Sequence, residues 1–281
     1  MHLRDVAVIG QQNGKDVCWL NIIVCIKQVP STSNVEVDPV TGVLKREGAK
    51  SKMNPYDLFA LEQAFLLRER YGGTVTVLSM GPNQAMDVLY EALYMGADSA
   101  VLASDRRFAG ADVLTTSYTL AQCVRKMGKY DLVICGKQTT DGDTGQVGPE
   151  MAEWLEIPHA CNANSVEDFS DGAFIVKVNM DHSTYTIKIK APCIITVDKD
   201  INTPRLPSYL RRKRAENAQI SVWSMDDLPD QDESHYGLAG SPTQVERIFP
   251  PEVNEDRECF TGTGEELAGR LYSLLREKKR I

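Results

Sequence analysis

Apolar and polar residues follow two alternating periods along this chain. NIIVCIKQV (21–29) is a continuous apolar run of strand length, and TVTVLSMG (74–81), SAVLAS (99–104) and DLVICGK (131–137) are of the same kind. Such runs fit strands buried on both faces of a parallel sheet. Between them the spacing becomes helical. NPYDLFALEQAFLLRERYG (54–72) puts Leu58, Leu61, Ala64, Phe65 and Leu67 on one face. Pro55 suits its first position, Asp57 its first turn, Arg68 and Arg70 its last turn, and Gly72 its stop. PNQAMDVLYEALYMGA (82–97), GADVLTTSYTLAQCVRKMG (110–128) and QVGPEMAEWLEI (146–157) predict three more helices. Strands alternating with helices predict an α/β fold with a doubly wound, mostly parallel sheet covered on both faces.

The rhythm is broken in two places. VEVDPVTGVLK (35–45) predicts a short hairpin around Pro39 and Gly42. After Pro158, AFIVKV, STYTIKIK and PCIITV predict antiparallel strands that extend the sheet. NTPRLPSYLRRKRAENAQ is a proline-punctuated loop leading into a basic segment, and ISVWSMDDL predicts a last strand. Residues 229–263 are polar and loop-rich, and EELAGRLYSLLREKKR (265–280) is an amphipathic helix with its basic end where the helix dipole favours it. The expected organisation is an N-terminal extension (1–20), an α/β domain (21–228) that includes the loop 202–214, and a C-terminal arm (229–281).

Composition narrows the function classes. With 31 Lys plus Arg against 39 Asp plus Glu, the net charge of −8 argues against a nucleic-acid or anionic-membrane binder. No apolar run approaches the ~20 residues that span a bilayer. The seven cysteines form no C-x-x-C pair, and Cys25, Cys135 and Cys193 fall inside strand-like runs as small buried hydrophobes. This is a reduced, cytoplasmic pattern without zinc or iron–sulfur spacing, and no protein-bound metal is expected. The first twenty residues lack the core of a signal peptide. Their GQQNGKD departs from a P-loop, because the gap is one residue short and Asp16 replaces the Ser/Thr. The segment is expected to be a dangling tail, or the result of a start set upstream of Leu20.

In open parallel sheets, ligands bind beyond the carboxyl ends of the strands, where the winding reverses. If strand 21–28 neighbours strand 131–136, the rim of that crevice holds Cys25–Gln28, Asn54–Asp57, Met80–Pro82 and Gly136–Val147. The turn DGDTGQVGPEMAE (141–153) sits there with two aspartates and no Lys or Arg. Its glycines allow close approach, and free N–H groups at the following helix can face a diphosphate without any lysine. Thr144 and Gln146 add neutral donors, and Asp141 or Asp143 can accept from ribose hydroxyls or cap the helix. Ordinary turn chemistry with a helix cap explains the same residues equally well. Asp105, Asp112, Asp226, Asp227, Asp230 and Asp232 read as solvated loop acids, and Thr115, Thr116 and Ser117 as helix packing. Arg211–Arg214 reads as a solvated face or a docking surface. Neither a pyrophosphatase-type SGG-x-DS loop nor a G-x-S-x-G elbow is present.

From Asn21 onward the chain closely resembles the beta subunit of electron-transferring flavoproteins. The matching pieces are VCIKQVP (24–30), MNPYDLFALEQA (53–64), SMGP (79–82), MGAD (95–98), GKQTTDGDTGQVGP (136–149), PCIITV and NTPRLPSYL. MDHSTYT carries fewer carboxylates than the family's acidic turn at that place. The resemblance implies an adenine nucleotide alpha hydrolase-like fold and a heterodimer with an FAD-carrying alpha subunit. It implies a nucleotide pocket lined by Cys25, Asn54, Pro55, Tyr56, Asp57, Met80, Gly136, Lys137, Gln138, Thr139, Thr140, Asp141, Gly142, Asp143, Thr144, Gly145, Gln146 and Val147, with Thr116 near the flavin ring. The form DGDT-x-QVGP, the segment FAGADVLTTSYTLA (108–121) and GLAGSPTQV-x-R-x-FPP (237–251) resemble the electron-bifurcating branch. There the pocket holds a second FAD that takes hydride from NADH, whereas the conventional branch holds a structural AMP. One electron then goes to ferredoxin or flavodoxin, and the other passes through the alpha-subunit FAD to a dehydrogenase of acyl-CoA or lactate type. NTPRLPSYL is the implied partner-recognition loop, with Tyr209 and Leu210 as its apolar contact.

Overall fold

The apolar runs form the centre of a nine-stranded sheet. The computed structural model describes residues 19–31, 51–180, 182–216, 218–245 and 258–281. The GQQNGKD segment, the hairpin expected at 35–45 and the GLAGSPTQV-x-R-x-FPP stretch beyond Val245 lie outside the described residues. In chain order, β1 (Leu20–Cys25) is followed by the antiparallel pair β2 (Gln28–Pro30) and β3 (Ser51–Met53). Then come α1 (Pro55–Tyr71), β4 (Gly73–Met80), α2 (Met86–Met95), β5 (Ser99–Ala103), α3 (Val113–Met127), β6 (Leu132–Gly136) and α4 (Val147–Leu155). The second half adds β7 (His159–Ser170), β8 (Ala173–Met180), β9 (Ser183–Lys190), β10 (Cys193–Val197), α5 (Tyr209–Arg214), β11 (Ser221–Trp223), α6 (Gly237–Gly240) and α7 (Gly264–Glu277).

The strand order is β11-β5-β4-β1-β6-β10-β7-β8-β9, parallel from β11 through β7 and antiparallel at the β7–β8–β9 edge. Leu61, Phe65 and Leu89 of α1 and α2 pack with Ile22, Val24, Val77 and Ile134 on one face. Leu120, Val124 and Met151 of α3 and α4 pack with Ile23, Cys25, Val133 and Cys135 on the other. This is the doubly wound, mostly parallel architecture that the alternation predicts.

Three points differ from expectation. PCIITV is not part of the antiparallel extension, because β10 runs parallel between β6 and β7 and is buried at every position. The antiparallel edge is supplied instead by β7, β8 and β9. Strand β7 was not predicted, since HACNANSVEDFS mixes polar and apolar residues without a clean period. The ladders to β10 and β8 make it a strand, and two register shifts against β8 accommodate its irregular sequence. The third predicted helix begins later than expected, at Val113, because Asp112 caps it.

The described residues through Val245 and those from Glu258 onward fall into different compact units. In the smaller unit, α7 opens with a capping box between Thr263 and Glu266, and Arg270 lies 3.9 Å over the ring of Phe260. Among the described residues, no helix is long and apolar enough to cross a membrane.

Candidate functional site

The winding reverses between β1 and β6. From β1 the chain moves outward through β4 and β5, then returns to β6 on the other side of β1. The two strands run in parallel register, with Cys25 opposite Cys135, so their carboxyl ends open side by side. Ligand crevices of open α/β sheets form at such places.

Asp57, in the first turn of α1, gathers both exits. Its Oδ2 accepts from the backbone N–H of Lys27 at 2.7 Å, and its Oδ1 accepts from Asn54 Nδ2 at 2.9 Å. Burial disfavours the charged form and pushes this carboxyl up to about 7, against the pull of those donors and of the Lys27 charge. Position 136 has no room for a side chain, since a Cβ there would lie 2.4 Å from Asp57 Oδ1 and 2.8 Å from the Tyr56 backbone. Asn54 is fully buried. Its N–H donates to Lys27 O at 2.9 Å, its Nδ2 also donates to Gln138 O at 2.9 Å, and its Oδ1 accepts from Thr140 N–H at 3.3 Å. It thereby ties the start of α1 to the loop that leaves β6.

That loop, 137–146, is exposed from Thr140 onward. At its root Lys137 N–H donates to Val197 O at 2.9 Å, and its Nζ pairs with Asp198 at 3.0 Å. Asp143 and Gly145 both take positive φ, 55° and 66°, and produce the reversal into α4. Asp143 N–H donates to Thr139 O at 2.9 Å, and Asp143 Oδ1 accepts from Gln138 Nε2. Asp141 pairs with Lys27 Nζ at 2.8 Å. Partial burial works to raise the Asp141 pKa, but the hydrogen bond and charge of Lys27 prevail and hold it below the usual range.

Neither aspartate caps α4. The residue at the cap is Gln146, without a side-chain cap hydrogen bond. The helix start is seated directly on the sheet, because a Cβ at Gly148 would lie 2.5 Å from Thr196 Cγ2 of β10. Among the described residues the first N–H groups of α4 have no side-chain partner, and the hydroxyls of Thr139 and Thr144 lie in the loop before them.

The neighbouring exits carry the remaining expected residues. Met80 ends β4 on the opposite side of β1 and packs with the α3/α4 face. Thr116 lies in the first turn of α3, where its N–H donates to Asp112 O at 3.0 Å. Helices α3 and α4 lie side by side, with Ser117 Oγ donating to Glu150 Oε2 at 2.9 Å and Trp154 Nε1 donating to Ser117 Oγ at 3.1 Å. Asp112 does more than cap α3. Its Oδ1 accepts from Thr115 N–H at 3.1 Å, while its Oδ2 accepts from Thr243 Oγ1 at 2.7 Å and Thr243 N–H at 3.2 Å. Its own N–H donates to Ser241 Oγ at 2.9 Å. The segments FAGADVLTT and GLAGSPT, far apart in sequence, thus form one structural unit.

The loop acids also find partners. Asp105 pairs with Arg107, Asp226 pairs with Arg107, Asp227 closes a capping box with Ser224, and Asp230 accepts from Tyr118.

Cys25, Asn54–Asp57 and 136–147 converge on the crevice. Tyr209 and Leu210 do not: they open α5, at the end of a loop laid along α1 and α2. Asn202 Nδ2 donates to Phe59 O at 3.0 Å and Ser208 N–H to Tyr94 O at 2.9 Å. Tyr209 and Leu210 are 69% and 67% exposed, and Leu206 is 85% exposed.

Sequence reasoning put Lys27 on the rim, within Cys25–Gln28, but did not foresee its pairing with Asp141, which only the β1–β6 adjacency brings about. It also missed Arg205 as the anchor of the exposed loop, because its partners Glu62 and Glu69 lie on a distant helix.

A phosphate-bearing nucleotide suits this donor set. The backbone N–H groups can meet the anion, the small residues permit close approach, and the loop hydroxyls can orient it.

A family model described as "Electron transfer flavoprotein domain" matches residues 41–228. The electron transfer flavoprotein subunit beta of Clostridium acetobutylicum is 45% identical over 262 residues, which cover 93% of this chain and 100% of that protein. The caffeyl-CoA reductase-Etf complex subunit CarD of Acetobacterium woodii is 42% identical over 261 residues, 92% of this chain and 99% of that one. Protein FixA of Azorhizobium caulinodans is 42% identical over 253 residues, 88% of this chain and 90% of that one.

Proposed function

The chain belongs to the electron transfer flavoprotein family, as a beta-type subunit, and from that premise we propose that it holds an FAD in the β1–β6 crevice and works in NADH-driven electron bifurcation. The observation that carries the nucleotide reading is the start of α4. It is seated on β10 at the switch point, follows a positive-φ turn, and has no side-chain cap. The fused FAGADVLTT and GLAGSPT unit supports the bifurcating form, since both segments resemble that branch and Asp112 joins them beside Thr116.

When bound, the flavin supplies hydride acceptance and one-electron transfer, and the protein supplies binding, orientation and electrostatics. In this reading the N–H groups from Gln146 onward, Thr139 and Thr144 hold the diphosphate. Asn54 and Asp57 fix the two strand exits, and Cys25, Tyr56, Met80 and the backbone of 136–147 line the pocket. Thr116 would lie near the ring system.

Electrons leave to ferredoxin or flavodoxin, and through the alpha-subunit FAD to a dehydrogenase of acyl-CoA or lactate type. The name of the A. woodii relative, a subunit of a caffeyl-CoA reductase complex, supports the acyl-CoA type. Leu206, Tyr209 and Leu210 form the apolar tip that meets the partner. The cysteines of the described residues are all free thiols, which supports a reduced, cytoplasmic setting.

Counting nucleotides in the purified heterodimer tests the proposal. Two FAD per heterodimer is the expected result. One FAD and one AMP would replace it with a conventional carrier whose nucleotide here is structural.

A further inference from the structure

We propose that Lys27 is an exchange latch, which holds Asp141 in this structure and turns to the phosphate when a nucleotide binds at the start of α4. The inference rests on the nucleotide reading above and adds to it a cationic ligand that the turn itself lacks.

The backbone of Lys27 is pinned on both sides. Its N–H donates to Asp57 at 2.7 Å, and its carbonyl accepts from Asn54 at 2.9 Å. The side chain is the part left to move. Its Nζ meets both oxygens of Asp141, at 2.9 and 2.8 Å, with the two side chains 45% and 32% exposed. Ion pairs with this much solvent contact are weak and exchange readily.

Asp141 lies on the exposed loop just before the positive-φ residues Asp143 and Gly145, so the carboxylate is carried by a turn and not by a regular element. A diphosphate, like the terminal phosphate of AMP, brings more charge than a single carboxylate and more oxygens for charge-assisted hydrogen bonds with an ammonium. The loop's own lysine, Lys137, is engaged by the less exposed Asp198 at 3.0 Å, and its backbone is bonded to β10. Lys27 is therefore the cation placed to exchange. The latch also answers the charge problem of an acidic turn beside an anion. Before binding, Asp141 neutralises Lys27; after exchange, Lys27 neutralises part of the phosphate charge and Asp141 turns to solvent.

The signature is discrimination between AMP and adenosine, because only the former carries the group that exchanges. Nucleotide-depleted heterodimer is titrated calorimetrically with each ligand. Lys27→Gln is expected to weaken AMP binding about tenfold and leave adenosine unchanged, on the scale of one charge-assisted hydrogen bond. Asp141→Asn is expected to tighten AMP binding several-fold, and this gain is expected to vanish in the Lys27→Gln background.

An unchanged AMP-to-adenosine ratio in Lys27→Gln overturns the latch. So does an Asp141→Asn gain that persists without Lys27, which would mark simple repulsion by Asp141. If the wild-type protein binds neither ligand at this site, the nucleotide reading itself fails, and the latch with it.

Discussion

Arg205 closes on Glu62 through two parallel hydrogen bonds, Nε to Oε2 at 2.8 Å and Nη2 to Oε1 at 2.9 Å, across 143 residues of sequence. The backbone N–H of Arg205 adds a third at 3.0 Å, Nη1 reaches Glu69 at 2.7 Å, and the guanidinium lies 4.9 Å over the Phe65 ring. The Glu62 side chain is only 7% exposed. One arginine thus fastens the proline-rich loop to α1 and leaves its apolar tip in solvent.

Removing the arginine leaves a buried carboxylate without its counter-charge. Arg205→Ala is expected to cost roughly 2–4 kcal/mol, at or below the range for broken buried pairs because Arg205 itself is partly exposed. Arg205→Lys is expected to cost less, since it keeps the charge and loses the fork. Urea denaturation of the heterodimer measures both, and equal stability of wild type and Arg205→Ala would remove the clamp from the account.

The Asp57 carboxyl predicts a pH dependence of stability. Its folded pKa of about 7 lies above the ordinary value of 3.8, so the folded chain binds the proton more tightly than the unfolded chain between those two pH values. Stability on this account is greatest below pH ~4 and falls as pH rises to ~7, by up to about 4 kcal/mol. Other groups add their own slopes, so the check is a difference. Asp57→Asn is expected to flatten the wild-type decline between pH 5 and pH 7.5. Parallel pH profiles for the two proteins would contradict the assignment.

Gly136→Ala tests how closely the strand exits are held. The added methyl would meet Asp57 Oδ1 and the Tyr56 backbone, neither of which can give way without moving α1 or β6. A loss of about 1–3 kcal/mol is expected from overpacking, together with loss of bound nucleotide. A variant as stable and as fully loaded as wild type would show that the contact relaxes freely.

Much of this was legible in the sequence, for identifiable physical reasons. Strands β1, β4, β5 and β6 are continuous apolar runs because both faces are covered, and α1 announces itself through Pro55, Asp57 and the spacing of Leu61 and Phe65. The rim residues followed from the reversal rule once β1 was set beside β6. What was not legible depends on contacts between distant segments. Strand β7 exists through its two neighbours, not its own pattern. PCIITV was grouped with the alternating runs AFIVKV and STYTIKIK, although CIITV is continuously apolar apart from Thr196, which suits a parallel strand buried on both faces. The partners of Lys27 and Arg205 carry no local signal, since a charged residue beside a strand or in a loop is ordinarily solvated.

The Asp112 contacts predict separable effects. Asp112→Ala removes both the cap on Thr115 and the acceptor for Thr243, with an expected cost of about 1–2 kcal/mol. Asp112→Asn keeps a good cap but turns an amide toward the Thr243 N–H, so it is expected to release residues 241–243 at a smaller cost in stability. Limited proteolysis near Ser241, compared with thermal unfolding, reads the two apart. Protection at Ser241 that is unchanged in Asp112→Asn would mean that the segment is held by other contacts.

The proposed docking role of Tyr209 and Leu210 is tested separately from the clamp. Their side chains project from α5 into solvent, so truncating both is expected to leave folding and nucleotide content intact. Apolar residues at the centre of an interface carry a large share of its energy, and their loss commonly costs tenfold or more in affinity, about 1.4 kcal/mol per factor of ten. Tyr209→Ala with Leu210→Ala should therefore raise the partner concentration needed for half-maximal electron delivery by about tenfold, and Leu206→Ala, at the most exposed position, should do the same. NADH-driven flavin reduction in the isolated heterodimer should not change, because the crevice and the loop are anchored to different residues. Stopped-flow flavin reduction alongside a partner titration separates the two steps. A parallel fall in both would mean that the loop shapes the flavin site and does not serve docking alone.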